Sequence, residues 1–242
     1  MRKWMSIAAL MLIAVMVFSL AACGNKAEEK PAEEPAQEEE IPEEIASGPE
    51  LSEDQMDDLY DQAAEMSLKR QYSDYMPDEI YGHAEAFNIS RDGDKGTWDV
   101  YLVTGEYVVI DGKTYLASGS NGEAILKFDY TEDGPKLTEV IWSDDGEGHN
   151  DWVKENFSKD GLENWDLFLK DEKSADMLNE ILDQKASDGL GAPVDTENDL
   201  MIDDNEGTYE IYKTIESGDP ADDTYKFETE TVKKGKLSDL KK

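Results

Sequence analysis

Apolar residues recur along the middle of the chain with two different periods. In 51–72, Met56, Leu59, Ala63 and Met66 fall at helical spacing, with Tyr60, Ala64 and Leu68 beside them. This predicts one amphipathic helix of about twenty residues, ending near Tyr72. Ser52 and Gln55 fit a capping box, and Leu51 and Met56 a hydrophobic staple. Its acidic first turn and its Lys69-Arg70 end both suit the helix dipole. After Pro77 the texture changes to short runs rich in Tyr, Val, Ile and Thr, separated by glycine. Strands are expected at 80–91, 97–104, 106–110, 113–118, 123–130 and 136–142. The run 97–104 is apolar on both faces, which makes it central. Asp111-Gly112 between two such runs is a strong hairpin signal, and connections this short join antiparallel neighbours.

Further on, 151–157 reads as a short helix. Ser174 caps another, with Met177, Leu178, Ile181 and Leu182 inward and Gly189 as its stop. A last hairpin, 208–216 with 224–232 around Gly218-Asp219-Pro220, either extends the sheet or forms a separate flap. The expected fold is α+β: an N-terminal helix covering an antiparallel meander of about six strands, with later helices and a closing hairpin. In element order this is cystatin-like or NTF2-like. Residues 51–190 form the α+β domain, and 191–242 its hairpin extension with a basic tail.

The first fifty residues have another character. Arg2 and Lys3 precede an uncharged apolar run over 4–20, and Leu20-Ala21-Ala22-Cys23 follows. Small residues before a cysteine match the lipobox of bacterial lipoproteins, so 1–22 reads as a signal peptide. Cys23 becomes the lipidated N-terminus, and two or three acyl chains of the palmitate type hold firmly where one is marginal. Cys23 is the only cysteine, so disulfides within the chain, thiolate zinc sites and a catalytic thiol are excluded. Residues 24–50 hold ten Glu, two Lys and four Pro, too polar and too charged for a core, and read as an extended tether. The protein is therefore expected at the outer face of a cell membrane.

Residues 51–242 carry 48 acidic and 19 basic side chains, a net charge of −29. Such a surface repels nucleic acid and anionic headgroups and attracts cations, including calcium and basic polypeptides.

One stretch carries a resemblance. Gly82-His83-Ala84-Glu85, Trp98-Asp99-Val100-Tyr101, Gly119-Ser120 and Trp142-Ser143-Asp144-Asp145-Gly146 leading to Phe157 together resemble an extracytoplasmic domain of unknown function. That domain occurs in Gram-positive lipoproteins and at the C-terminal end of membrane metalloproteases of the antirepressor, beta-lactam-sensor type. The similarity spans 81–157, about a third of the chain. It implies a sensor or interaction role and a Gram-positive host. It carries over no catalytic residue, because the protease centre of those proteins lies in another domain.

Direct signs of chemistry are few. His83 and His149 lie on different elements and no HExxH occurs, so a zinc site would need both to converge with a carboxylate. Ser118-Gly119-Ser120-Asn121-Gly122 lacks the glycine that a nucleophile elbow needs. Ser238-Asp239-Leu240-Lys241 matches SxxK, but in a basic tail expected to be frayed. Asn88 to Asp99 imitates an EF-hand in spacing, yet its flanks alternate as strands and its twelfth residue is Asp where Glu is usual. Residues 156–167 fail the same pattern at Leu167. Asp144, Asp145, Glu147 and Asp151, with two glycines between them, form the candidate calcium cage; a solvated turn capping the next helix is the plainer reading. Trp98 and Trp142 read as sheet core, Trp152 and Trp165 as helix packing. The expected function is a non-catalytic, membrane-anchored binding or sensor-associated module, its partner an envelope protein or basic polypeptide. The alternatives are an envelope hydrolase using two carboxylates, and a structural envelope protein.

Overall fold

The computed structural model describes residues 51–241 apart from 133, 144, 145, 172 and 218–224. Cys23, the signal peptide and the tether therefore lie outside the described residues, as do Asp144 and Asp145. The fold is α+β, and the described residues form four α-helices and two antiparallel sheets.

Helix α1 (Glu53–Ser67) begins as the sequence requires. Gln55 N donates to Ser52 Oγ at 3.3 Å and Ser52 N to Gln55 Oε1 at 3.0 Å, closing the capping box. Leu51 and Met56 both pack on the core beneath. The helix stops earlier than expected, with Leu68 extended. A few residues on, a carboxylate holds the departing chain: Gln71 N and Tyr72 N both donate to Glu106 Oε1. Lys69 and Arg70 thus lie beyond the helix, and Arg70 turns to Glu79 at 2.6 Å.

The first sheet is a plain meander of four strands in the order β1 (Asp78–Asp92), β2 (Lys95–Ile110), β3 (Lys113–Thr131) and β4 (Gly134–Trp142). The six expected runs fuse into these four. Gly105 and Gly119, which interrupt the apolar pattern, face each other inside continuous strands. A Cβ on Gly105 would lie 2.5 Å from the Tyr107 ring, and one on Gly119 2.7 Å from Thr104 O. These glycines permit close approach in a bent ladder whose register slips after Glu106, rather than ending strands. The β2–β3 turn has Asp111 at φ 53° and Gly112 at φ 79°, the positive angles of a type I′ turn.

Strand β2 is central, as its two apolar faces demand. One face, with Trp98, Val100 and Leu102, packs under Leu59, Tyr60 and Ala63 of α1. The opposite face is covered by helices. Val153 of α2 (His149–Asn156) and Trp165 of α3 (Lys159–Phe168) pack on Phe87 and Ile125. Leu178, Leu182 and Ala186 of α4 (Ser174–Leu190) pack on Val103 and Tyr107. Helix α3 lies outside the elements that the apolar pattern predicts. Its signal is Ser158, whose Oγ accepts from Gly161 N at 3.0 Å, ahead of Leu162, Trp165 and Phe168 at helical spacing. Helix α4 runs through Gly189 and ends at left-handed Gly191. A Cβ at Gly189 would lie 2.2 Å from Tyr81 OH, so this glycine lets the helix cross a strand side chain.

The C-terminal hairpin becomes a separate sheet of three strands, β5 (Asp199–Asp203), β6 (Thr208–Ser217) and β7 (Lys226–Lys236). Tyr209, Ile211 and Leu237 share a core with Val108, Ile110 and Tyr115 of the first sheet. The linker is fastened to β3 as well: Thr114 N donates to Pro193 O at 2.8 Å, and Asp195 N to Thr114 O at 2.9 Å. The basic tail is ordered, since Leu237 is buried and Leu240 packs on the same core.

Candidate functional site

On the helical side of the first sheet, β1, α3 and α4 enclose an open groove of about 590 Å³. Strand β1 supplies His83, Glu85 and Phe87 at alternate positions, so their side chains share a face. Helix α3 supplies Asn164, Leu167 and Phe168, and α4 supplies Met177, Leu178 and Ile181. The expectation that Met177 and Ile181 point inward fails. Leu178 and Leu182 are buried, whereas Met177 is 54% exposed and Ile181 44%. The inner stripe of α4 spans 178, 182 and 186, and 177 and 181 fall on its flank facing the groove. Leu167 is 62% exposed on the other wall.

The polar groups around this groove are mostly committed to the protein. Asn164 Nδ2 donates to Phe87 O at 2.7 Å. Where β1 passes between α1 and α4, Gly82 N donates to Asp61 Oδ1 at 2.9 Å. Lys185 Nζ lies 2.8 Å from the same Asp61 oxygen and donates to Gly82 O at 3.2 Å. Helix α1 rests directly on β1 here: a Cβ at Gly82 would stand 2.1 Å from Tyr60 O. His83 is half-buried beside this clamp, with Nδ1 3.7 Å from Asp57 Oδ1. Burial pushes its pKa down, against the pull of Asp57, and the Lys185 ammonium lowers it further. His83 therefore faces the groove as a neutral ring.

Other ionisable residues lie elsewhere. His149 Nε2 sits 3.1 Å from Glu123 Oε2, and Trp165 Nε1 donates to Glu123 Oε1 at 2.7 Å. The two histidines thus belong to separate clusters. Asp99 is buried and accepts from Ser158 N and Oγ; Asp92 and Lys95 close a hairpin, so the EF-hand spacing is a β-turn. Asp151 is exposed in the first turn of α2, and the side chain of Glu147 lies outside the described residues with Asp144 and Asp145. Among the described residues no three His, Cys, Asp or Glu are grouped to hold a metal. Ser238 and Lys241 do not meet: Ser238 bonds Asp239, and Lys241 Nζ lies 5.9 Å from the Tyr75 ring centre.

Among the described residues, Asp78 and Glu106 form a buried carboxylate pair on neighbouring strands. Both are buried, and burial, then the neighbouring Asp78 carboxyl, drive the Glu106 pKa upward. Their oxygens accept from the Gln71 and Tyr72 amides and from Ser118 Oγ, which fits a structural pair fastening the segment after α1. Only the alternation of β2 hinted at it, by setting Glu106 inward between Thr104 and Val108.

Compared with protein-family models, curated proteins and solved structures, the chain finds no match. Among the described residues no helix is long and apolar enough to cross a membrane.

Proposed function

We propose that this protein is a lipid-anchored, extracytoplasmic binding module, held to the outer membrane face through Cys23, whose ligand site is the groove between β1, α3 and α4. The observation that carries this reading is the exposure of Leu167, Met177 and Ile181 around one concavity. Three large apolar side chains in one open groove mark a contact surface more readily than a reaction centre. The surrounding donors support it, because Asn164 and Lys185 are already bonded to backbone carbonyls of β1. The resemblance over 81–157 points the same way, toward a sensor-associated or interaction role.

The mature chain should bind an envelope component of its host, and Leu167→Asp with Met177→Asp should abolish that binding without lowering the melting midpoint. Equal binding by the variant would move the site elsewhere. The hydrolase alternative draws on Asp78 and Glu106. It predicts turnover of an envelope polymer that disappears in Glu106→Gln while the fold persists; binding without turnover supports the module.

A further inference from the structure

We infer that the groove receives a basic amphipathic helix, a polypeptide segment with one apolar face flanked by Lys or Arg; this deepens the binding reading above and rests on it. Met177 and Ile181 stand four residues apart on α4, so they form one ridge along the helix, and Leu167 opposes them from α3. A ridge and an opposing anchor suit the apolar stripe of a second helix laid into the groove.

The charge of the partner follows from what the groove lacks. Glu85 and Asp171 line it and are exposed. No salt bridge joins either to a cation among the described residues. The lining contains no Lys or Arg. Lys185, one turn beyond Ile181 on α4, is held by Asp61 and the Gly82 carbonyl. Over 159–190 the chain adds nine acidic residues against four basic ones. Such a rim repels the chain's own Glu-rich segment 24–50 and a second copy at −29, and it draws in a cationic partner.

The test uses the mature chain from residue 23 with Cys23→Ser, which contains every described residue and no lipid. The probe is a labelled Leu/Lys peptide of about fifteen residues with leucines at helical spacing. Controls are a scrambled peptide of the same composition and a Leu/Glu counterpart. The Leu/Lys helix should saturate at one per chain. Met177→Ser with Ile181→Ser should weaken it about tenfold or more. Glu85→Gln with Asp171→Asn should weaken it several-fold and flatten its salt dependence. All four positions are exposed, so melting midpoints should hold. Leu/Lys binding insensitive to both pairs of substitutions overturns the inference, leaving only general attraction to an acidic protein. If the Leu/Glu peptide binds as well, with the same dependence on Met177 and Ile181, the groove stands and the basic partner falls. If no peptide responds to Met177 and Ile181, the groove reading itself fails.

Discussion

Glu106 and Asp78 share one donor beneath the segment that joins α1 to β1: Tyr72 N lies 3.3 Å from Glu106 Oε1 and 3.1 Å from Asp78 Oδ2. Two carboxylates on neighbouring strands are thereby made the fastening for a chain reversal. Burial, with a second carboxylate close by, favours a proton on Glu106.

That proton gives stability a pH dependence with a definite sign. The folded pKa of Glu106 lies above its ordinary value of 4.5, chiefly through burial and further through Asp78, while bonds from the Gln71 amide, Ser118 and the Tyr72 amide oppose the rise. The folded state holds the proton more tightly than the unfolded chain. The stabilisation is therefore complete below the ordinary value and lost as pH rises through the folded one. Glu106→Gln, which stays uncharged, should gain stability relative to the parent between about pH 5 and 8. Melting midpoints of both chains across that range check it; parallel curves would show that Glu106 titrates alike in both states.

Asp195 has the opposite sign. Burial would raise its pKa, but bonds from Lys113, Asn198, the Glu197 amide and Tyr115 hold the carboxyl well below the usual carboxylate range. Its contribution is present above the ordinary value of 3.8 and disappears as pH falls toward the folded one. Asp195→Asn should cost on the order of 1–3 kcal/mol at pH 7, and the difference from the parent should shrink in acid. Urea unfolding at neutral and acid pH measures it.

At the β2–β3 turn, Gly112 sits at φ 79° beside Asp111 at φ 53°. A β-branched side chain resists that conformation, so Gly112→Val should cost on the order of 1–3 kcal/mol. An unchanged melting midpoint would mean that this turn contributes nothing to the register.

Local signals such as this turn were legible because their causes lie within a few residues. The Ser52 capping box, the burial of Trp98 and the central place of β2 belong to the same class. What was not legible depends on distant partners. The pattern breaks at Gly105 and Gly119 look like strand ends until Tyr107 and Thr104 are seen to need the space. The segment after α1, which the sequence reads as more helix, is held by Glu106 far along the chain. The groove was hidden for a related reason: Met177 and Leu178 are both apolar, and only the packing of α4 on Val103 and Tyr107 decides which is buried.

Calcium should stabilise the protein weakly, without saturation and no better than magnesium. At −29 over 51–242, any divalent cation relieves self-repulsion without a defined site. A true site built from Asp144, Asp145, Glu147 and Asp151 would saturate and contribute about 2.7 kcal/mol at a hundred times its Kd. Thermal titrations with the two metals separate the cases; a calcium-selective, stoichiometric response removed by Asp145→Asn would establish the cage.

The proposed anchor is checked in cells. A labelled fatty acid should mark the protein, and Cys23→Ala should abolish the label and block processing. Labelling that survives the substitution would put the lipid elsewhere.

Strand β1 is the outer edge of its sheet, and such edges invite pairing with a neighbouring molecule. Here the open backbone is taken at intervals by side chains of three helices: Asp61 on the Gly82 amide, Lys185 on the Gly82 carbonyl and Asn164 on the Phe87 carbonyl. Under the proposed lipid anchor, copies confined to a membrane plane would meet far more often than in free solution. An edge stapled at Gly82 and Phe87 offers them no continuous ladder to extend, so crowding there need not become aggregation.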